Sequence, residues 1–253
     1  MDVKYWNEVA EDYDGEIFDV LANDRSNLLR SRINAFGSNE KTASDLGSGI
    51  GKFLPMLSEN FGHVYAYDIS ETCLRQAREH CAELSNVEFI RTDLSAGKKR
   101  MPKVDFILCV NSLIMPSMSQ RAKYLKLIRA HLKQNGHLLL VVPSLESALY
   151  SRLRLIEWNV RRGLSYGTAV TAGVNGSRNP NASRLQQGII NLDHIPTKHY
   201  LEEELCSTLA DLGFELDEIL KIEYDWMTEF LNPPRWMKAP FPWDWLVTAR
   251  KCT

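Results

Sequence analysis

The chain has 253 residues, 44% hydrophobic and 25% charged, with a net charge of -2. That length suits one α/β domain with an insertion, and the near balance of charge argues against a surface that coats nucleic acid. No run resembles a signal peptide or reaches the ~18 apolar residues of a membrane span, so a cytoplasmic protein with no membrane contact is expected.

Residues 1–37 read as one or two helices ahead of the first strand. Tyr5, Trp6 and Tyr13 are many aromatics for so short a stretch. They either pack a helix on the sheet or fold over a ligand. Ala43-Ser44-Asp45-Leu46 is then a short strand, followed by Gly47, Gly49 and Gly51 at alternate positions and a helix from Lys52. Glycines between strand and helix let the backbone take left-handed angles and let a ligand lie on it. The helix beyond offers free N–H groups to something anionic. A phosphate-binding P-loop is excluded, because it needs glycine where Leu46 stands and Ser or Thr where Phe53 stands. The dinucleotide fingerprint is spaced one residue wider.

His63 to Asp68 is a second strand ending in an acid, 21 residues after Gly47. Acids at about that distance accept hydrogen bonds from ribose hydroxyls in doubly wound folds. Ser70 can cap a helix carrying Leu74, Ala77, Cys81 and Leu84 on one face. Val87 to Asp93 is a third acid-ended strand. Asp68 and Asp93 have a plainer use as caps of the next helix or turn. Val104 to Val110 is apolar apart from Asp105, as in a parallel sheet covered on both faces. A helix is expected after Ser119, stopped by Gly136, and His137 to Val142 is a fifth strand. Tyr200 to Leu212 is a further helix. Phe214 to Tyr224 and Trp245 to Arg250 are strands with no helix between them, hence an antiparallel hairpin at the sheet edge. The five cysteines, Cys73, Cys81, Cys109, Cys206 and Cys252, show no metal-ligand spacing and read as buried thiols. Asn175-Gly176-Ser177 and Asn181-Ala182-Ser183 read as accidental sequons, and Lys98-Lys99-Arg100 as a solvated loop run.

Asp45-x-Gly47-x-Gly49-x-Gly51, with Asp68 and Asp93 closing the next two strands, resembles the first motifs of the class I S-adenosylmethionine-dependent methyltransferases of small-molecule type. The likeness is good over residues 40–145 and holds at pattern level beyond. It implies a Rossmann-like seven-stranded sheet of order 3-2-1-4-5-7-6 with an antiparallel C-terminal hairpin. It also implies an N-terminal helical lid (1–37) and a substrate-side insertion (146–195) after strand five, all in a single domain of residues 1–253. The implied cofactor is S-adenosylmethionine. Its binding set is Tyr13, Asp45, Gly47, Ser48, Gly49, Gly51, Asp68, Ile69, Asp93, Leu94 and Asn111, with no metal. The implied reaction is methyl transfer to oxygen or nitrogen of a small molecule. Rival readings are a protein or RNA methyltransferase, an aminopropyl transferase, and a non-catalytic cofactor-binding partner subunit.

Three features bear on the acceptor. Asn111-Ser112-Leu113-Ile114 after the fourth strand is neither the Asp/Asn-Pro-Pro-Tyr of amide-type nitrogen methylation nor a Pro-Cys nucleophile, and Asn111 itself fits a turn as well as a contact. His194, in a loop before the sixth helix, is the candidate base, with a surface histidine as the alternative and His199 as second choice. Arg152, Arg154, Arg161, Arg162, Arg178 and Arg184 outnumber Glu146 and Glu157 between 146 and 190. They suit either an acidic acceptor or a solvated helix face. The Pro- and Trp-rich stretch 224–243 suits a pocket wall, a rigid cover or an oligomer contact.

Overall fold

The computed structural model describes residues 2–96, 101–172, 182–192 and 194–252. The Lys98–Arg100 run, the sequon residues Asn175 and Asn181, Arg178 and Asp193 lie outside the described residues. Four short helices come first: α1 (Val3–Val9), α2 (Tyr13–Glu16), α3 (Val20–Asn23) and α4 (Leu28–Phe36). Then follow β1 (Ser38–Leu46), α5 (Leu54–Asn60), β2 (Phe61–Asp68), α6 (Glu71–His80) and β3 (Val87–Arg91). After these come β4 (Val104–Val110), α7 (Met118–His131) and β5 (Leu132–Pro143). The insertion supplies α8 (Leu145–Arg161), α9 (Tyr166–Thr171), α10 (Ala182–Gln186), β6 (Ile189–Leu192) and β7 (Ile195–Lys198). The chain closes with α11 (Glu202–Asp211), β8 (Phe214–Glu223) and β9 (Trp243–Lys251).

Seven strands form one sheet in the order β3-β2-β1-β4-β5-β9-β8. β9 runs antiparallel to β5 and β8, and the other pairs are parallel. With the separate β6–β7 hairpin set aside, this is the expected order 3-2-1-4-5-7-6. The apolar centres of β4 and β5, Phe106 to Cys109 and Leu138 to Val142, are buried because helices cover both faces. On one face Tyr124 and Ile128 of α7 pack with Leu205 and Leu209 of α11. On the other, Leu29 and Ile33 of α4 pack with Leu54 and Leu57 of α5. Phe61 stacks on Phe106 at 5.0 Å between ring centres.

Local chemistry sets several ends. Ser70 Oγ accepts from Cys73 N (3.1 Å) and starts α6 as expected. α7 starts at Met118, capped by Ser117 rather than after Ser119. α11 has no side-chain cap of its own, and Glu146 Oε1 accepts from Glu202 N (3.0 Å) instead. The patterning reads 191–196 as a loop, yet Ile189–Leu192 pairs with Ile195–Lys198. Strands of four residues with Pro196 inside give too little alternation to register. Cys73, Cys81 and Cys109 are buried, whereas Cys206 is exposed and Cys252 half-buried. No helix among the described residues is long and apolar enough to cross a membrane.

Phe61 is fully buried and lies far from the rim where the strands end. Phe61→Ala should destabilise the protein by about 3–5 kcal/mol, through lost transfer energy and the cavity left behind. Urea unfolding of the two proteins measures the difference.

Candidate active site

The chain leaves β1 and turns through Gly47, Gly49 and Gly51 at φ of 82°, 53° and 88°. These are left-handed angles, open to glycine without a steric penalty. The bend is anchored to the end of β2. The Tyr67 carbonyl accepts from Gly47 N (2.8 Å) and Ser48 N (2.9 Å). Asp68 Oδ2 accepts from Gly49 N (2.9 Å), and its Oδ1 accepts from Ser70 N (2.8 Å). Burial raises the Asp68 carboxyl above the usual range, and these backbone bonds pull it back.

Two of the glycines form a cradle. A Cβ on Gly47 would stand 2.2 Å from Ser112 Oγ, and one on Gly49 2.2 Å from Tyr13 Oη. A Cβ on Gly51 would instead meet Ala77, Leu54 and Cys81 at 3.1 to 3.3 Å, so this glycine serves helix packing.

A cavity of about 870 Å³ opens above the cradle. Of the expected cofactor set, Tyr13, Gly47, Gly49, Asp68, Ile69, Asp93, Leu94 and Asn111 line it. Asp45, Ser48 and Gly51 do not. Asp45 lies buried beneath the loop, and desolvation with the nearby Asp68 charge pushes its carboxyl up to about 8. Asp93 lines the cavity, and its carboxylate caps the turn by accepting from Ser95 N (2.9 Å) and Ser95 Oγ (2.7 Å).

The far half of the cavity is built by the covering segments. Tyr5, Trp6 and Phe18 come from the N-terminal helices, Ser147, Ser151 and Arg152 from α8, and Tyr224, Phe230, Trp243 and Asp244 from β8, β9 and their link. Phe18 meets Tyr224 edge-on at 4.6 Å, and Arg25 pairs with Asp225 at 2.7 Å. Ser70 Oγ donates to Asn7 Oδ1 (2.6 Å), holding α1 on α6. The cover is thus docked on the cofactor side and the link at once.

The expected base is not brought to this cavity. His194 sits exposed at the β6–β7 turn with φ 70°, away from the lining. His199 lines the cavity instead, its Nδ1 3.1 Å from the Thr197 carbonyl, and burial lowers its ring pKa to about 4. Two arginines of the insertion, Arg154 and Arg161, are committed elsewhere. Arg154 and Arg161 reach Glu157 (both 2.5 Å) and lie over the Trp236 ring at 5.0 and 3.9 Å. Among the described residues of 146–190, Arg152 is the one arginine lining the cavity.

Sequence reasoning missed Asp244. Its Oδ2 accepts from Tyr224 Oη (2.9 Å) and Asn111 Nδ2 (3.4 Å). The signal was a lone acid between Trp243 and Trp245 at the head of an apolar strand. Asn111 Oδ1, Ser151 Oγ and Trp243 Nε1 are buried in this lining with no hydrogen-bond partner among the described residues. Orphaned polar atoms of this kind suit a site built to receive a ligand. Among the described residues no group of three or more His, Cys, Asp or Glu could hold a metal ion.

The raised Asp45 pKa makes a stability prediction. A carboxyl that holds its proton more tightly folded than unfolded costs stability as pH rises from about 4 to about 8. Asp45→Asn removes that titration. The stability of the variant relative to wild type should therefore increase across this window and level off above it, as thermal unfolding at several pH values would measure.

Residues 43–136 match the model of a methyltransferase domain. No curated protein matches the chain by sequence. Among solved structures, DhpI in complex with SAM and HEP is 18% identical, with 98% of this chain and 94% of that chain covered and a TM-score of 0.62. A SAM-dependent methyltransferase from Methanosarcina mazei is 20% identical over 87% of this chain and 97% of that chain, with a TM-score of 0.59. Magnesium protoporphyrin IX methyltransferase from Synechocystis PCC 6803 with bound SAH is 17% identical over 98% and 97%, with a TM-score of 0.59. Residues 43–136 thus carry the signature of a methyltransferase domain, and the whole chain shares the fold of these S-adenosylmethionine-dependent enzymes.

Proposed function

We propose that the protein transfers a methyl group from S-adenosylmethionine to an oxygen or nitrogen of a small molecule. The observation that carries this reading is the cradle. Two left-handed glycines open onto a cavity flanked by the carboxylates of Asp68 and Asp93, which suits a ligand with a compact polar end and a ribose. Gly47 and Gly49 would hold the methionine portion, Asp68 the ribose, and Asp93 with Leu94 the adenine end. The donor supplies a methyl already activated by the sulfonium charge. The chain's own task is to align the acceptor in line with that methyl and keep water out.

Residues 1–37 act as the cover and 146–195 as the acceptor wall. Their docking on one another's neighbours supports an enclosed site and a small acceptor over a protein or RNA. Tyr5, Trp6, Phe18, Tyr224, Phe230 and Trp243 favour an apolar or aromatic body. Arg152, which donates to the Val170 carbonyl (2.6 Å), adds positive charge to this lining and so favours one acidic group on the acceptor.

Calorimetry with S-adenosylhomocysteine tests the reading. Binding is expected, and Asp68→Ala should weaken it by about ten- to a hundredfold, since hydrogen bonds to a charged group contribute roughly 1.5–3 kcal/mol each. No binding to wild-type protein at millimolar ligand would overturn the proposal. Release of S-adenosylhomocysteine in the presence of a metabolite library would then identify the acceptor.

A further inference from the structure

The cavity holds a polar cluster centred on Asp244, a residue outside the expected cofactor set. Asp244 opens β9, Asn111 follows β4, and Tyr224 follows β8. Two hydrogen bonds converge on Asp244 Oδ2, from Tyr224 Oη and Asn111 Nδ2, and Oδ1 takes neither. Asp244 is half-buried because one side faces the cavity, while protein encloses the rest. Asn111 is held in left-handed backbone at φ 46°, and its N–H donates to the Val141 carbonyl (2.9 Å). Asparagine adopts such angles more readily than most residues. The next residue, Ser112, is the one that abuts Gly47. The Asp244 carboxylate is thus linked through Asn111 to Ser112, the residue set against the cradle at Gly47.

We propose that Asp244 takes the proton of the acceptor's reacting group, and that this group is a hydroxyl or an amine rather than a carboxylate. The proposal rests on the methyl-transfer reading above. A carboxylate acceptor has no proton to give, and it would be set against Asp244 and Glu229, which line the same end of the cavity. In the step, the acceptor oxygen or nitrogen bonds to the methyl carbon as the carbon–sulfur bond breaks. The electron pair of the broken bond stays on sulfur. The acceptor's proton passes to Asp244 and from there to solvent.

The electrostatics agree with that role. Enclosure pushes the Asp244 carboxyl up to about 6, with bonds from Tyr224 and Asn111 opposing and Glu229 adding to the rise. Tyr224 keeps its proton, because burial and Asp244 both raise its pKa. Lys221, on β8, lies over the Trp243 ring at 3.8 Å and the Trp245 ring at 5.6 Å. Asp244 is thus ionised near neutral pH yet close enough to it to accept a proton.

The experiment uses the full chain, S-adenosylmethionine, and a panel of phenols, aliphatic alcohols, primary amines and aryl carboxylates, read by release of S-adenosylhomocysteine. Transfer to a hydroxyl or amine is expected. Asp244→Asn should lower turnover about 10²-fold or more while S-adenosylhomocysteine affinity stays within about threefold. The wild-type rate should rise with pH through about 6, and the variant should lack that limb. Tyr224→Phe removes a donor that lowers the Asp244 pKa, so its limb should move to higher pH, which a purely structural role would not produce. It decides the matter if Asp244→Asn loses S-adenosylhomocysteine binding. Without any donor, the protonated-carboxyl infrared band that Asp244→Asn abolishes should grow as pH falls through about 6. Unchanged turnover and pH limb in Asp244→Asn, transfer confined to carboxylates, or no transfer to any hydroxyl or amine by protein that binds S-adenosylhomocysteine would each overturn the proposal. Wild-type protein that fails to bind S-adenosylhomocysteine overturns the underlying methyl-transfer reading instead.

Discussion

The anchoring of the bend after β1 to the end of β2 sets the position of everything at the site. Leu46 pairs with Tyr67 in the parallel register, so the Tyr67 carbonyl and the Asp68 carboxylate arrive beside the loop just as it leaves the sheet. Three backbone N–H groups, of Gly47, Ser48 and Gly49, are thereby used by β2. The loop is held open by its neighbour strand and does not depend on its own side chains. Because β1 has β2 on one side and β4 on the other, the bend lies where strand order reverses. Open α/β sheets place their ligand crevices at such points. Asp68 and Asn111 flank it from opposite sides for this reason.

Above that fixed rim, the far half of the cavity is assembled from parts that hold one another. Glu157 accepts from Arg154 and Arg161 on its own helix, and both guanidinium groups lie over Trp236 of the link. Exposed ion pairs add little stability. Stacking of Arg on an aromatic face contributes more and fixes position. Arg154 and Arg161 of the insertion therefore serve to dock the Pro- and Trp-rich link, while Arg152 lines the cavity. Trp226 is buried beneath, with its Nε1 donating to the Lys238 carbonyl (3.1 Å).

The sheet and the glycine bend were legible in the sequence because each rests on a short-range rule. Period and burial give β4 and β5. Left-handed turns demand glycine at 47 and 49. Acids at the end of β2 and two residues beyond β3 appear at fixed distances from the loop. What was not legible depends on contacts between distant segments. Asp244 becomes part of the site because β9 inserts between β5 and β8, which sets it beside Asn111 and Tyr224. Nothing local distinguishes it from an ordinary strand-edge acid. The choice between His194 and His199 turned on whether 191–196 was a loop or a hairpin. Pairing of Asn191 with Pro196 sends His194 outward at the turn. Lys198 N donates to the Ile114 carbonyl (2.9 Å), and the same strand brings His199 to the cavity. The cap on α11 was hidden likewise, since its carboxylate comes from the first turn of α8.

That borrowed cap has a consequence for how the protein could be altered. Glu146 accepts from Glu202 N and from Trp245 Nε1 (3.2 Å), so the root of α8 is tied at once to α11 and to the sheet. Beyond Ser151 the helix runs outward, and Leu153 stands largely exposed. Ser147, Ala148, Ser151, Arg152 and Leu155 of the same helix line the cavity, so its first turns carry both the coupling and the wall. Exchange of side chains along 148–155 would therefore reshape the cavity while leaving the sheet and its glycine loop in place. The insertion behaves as a replaceable wall on a permanent foundation, and Glu146 is where the two are joined.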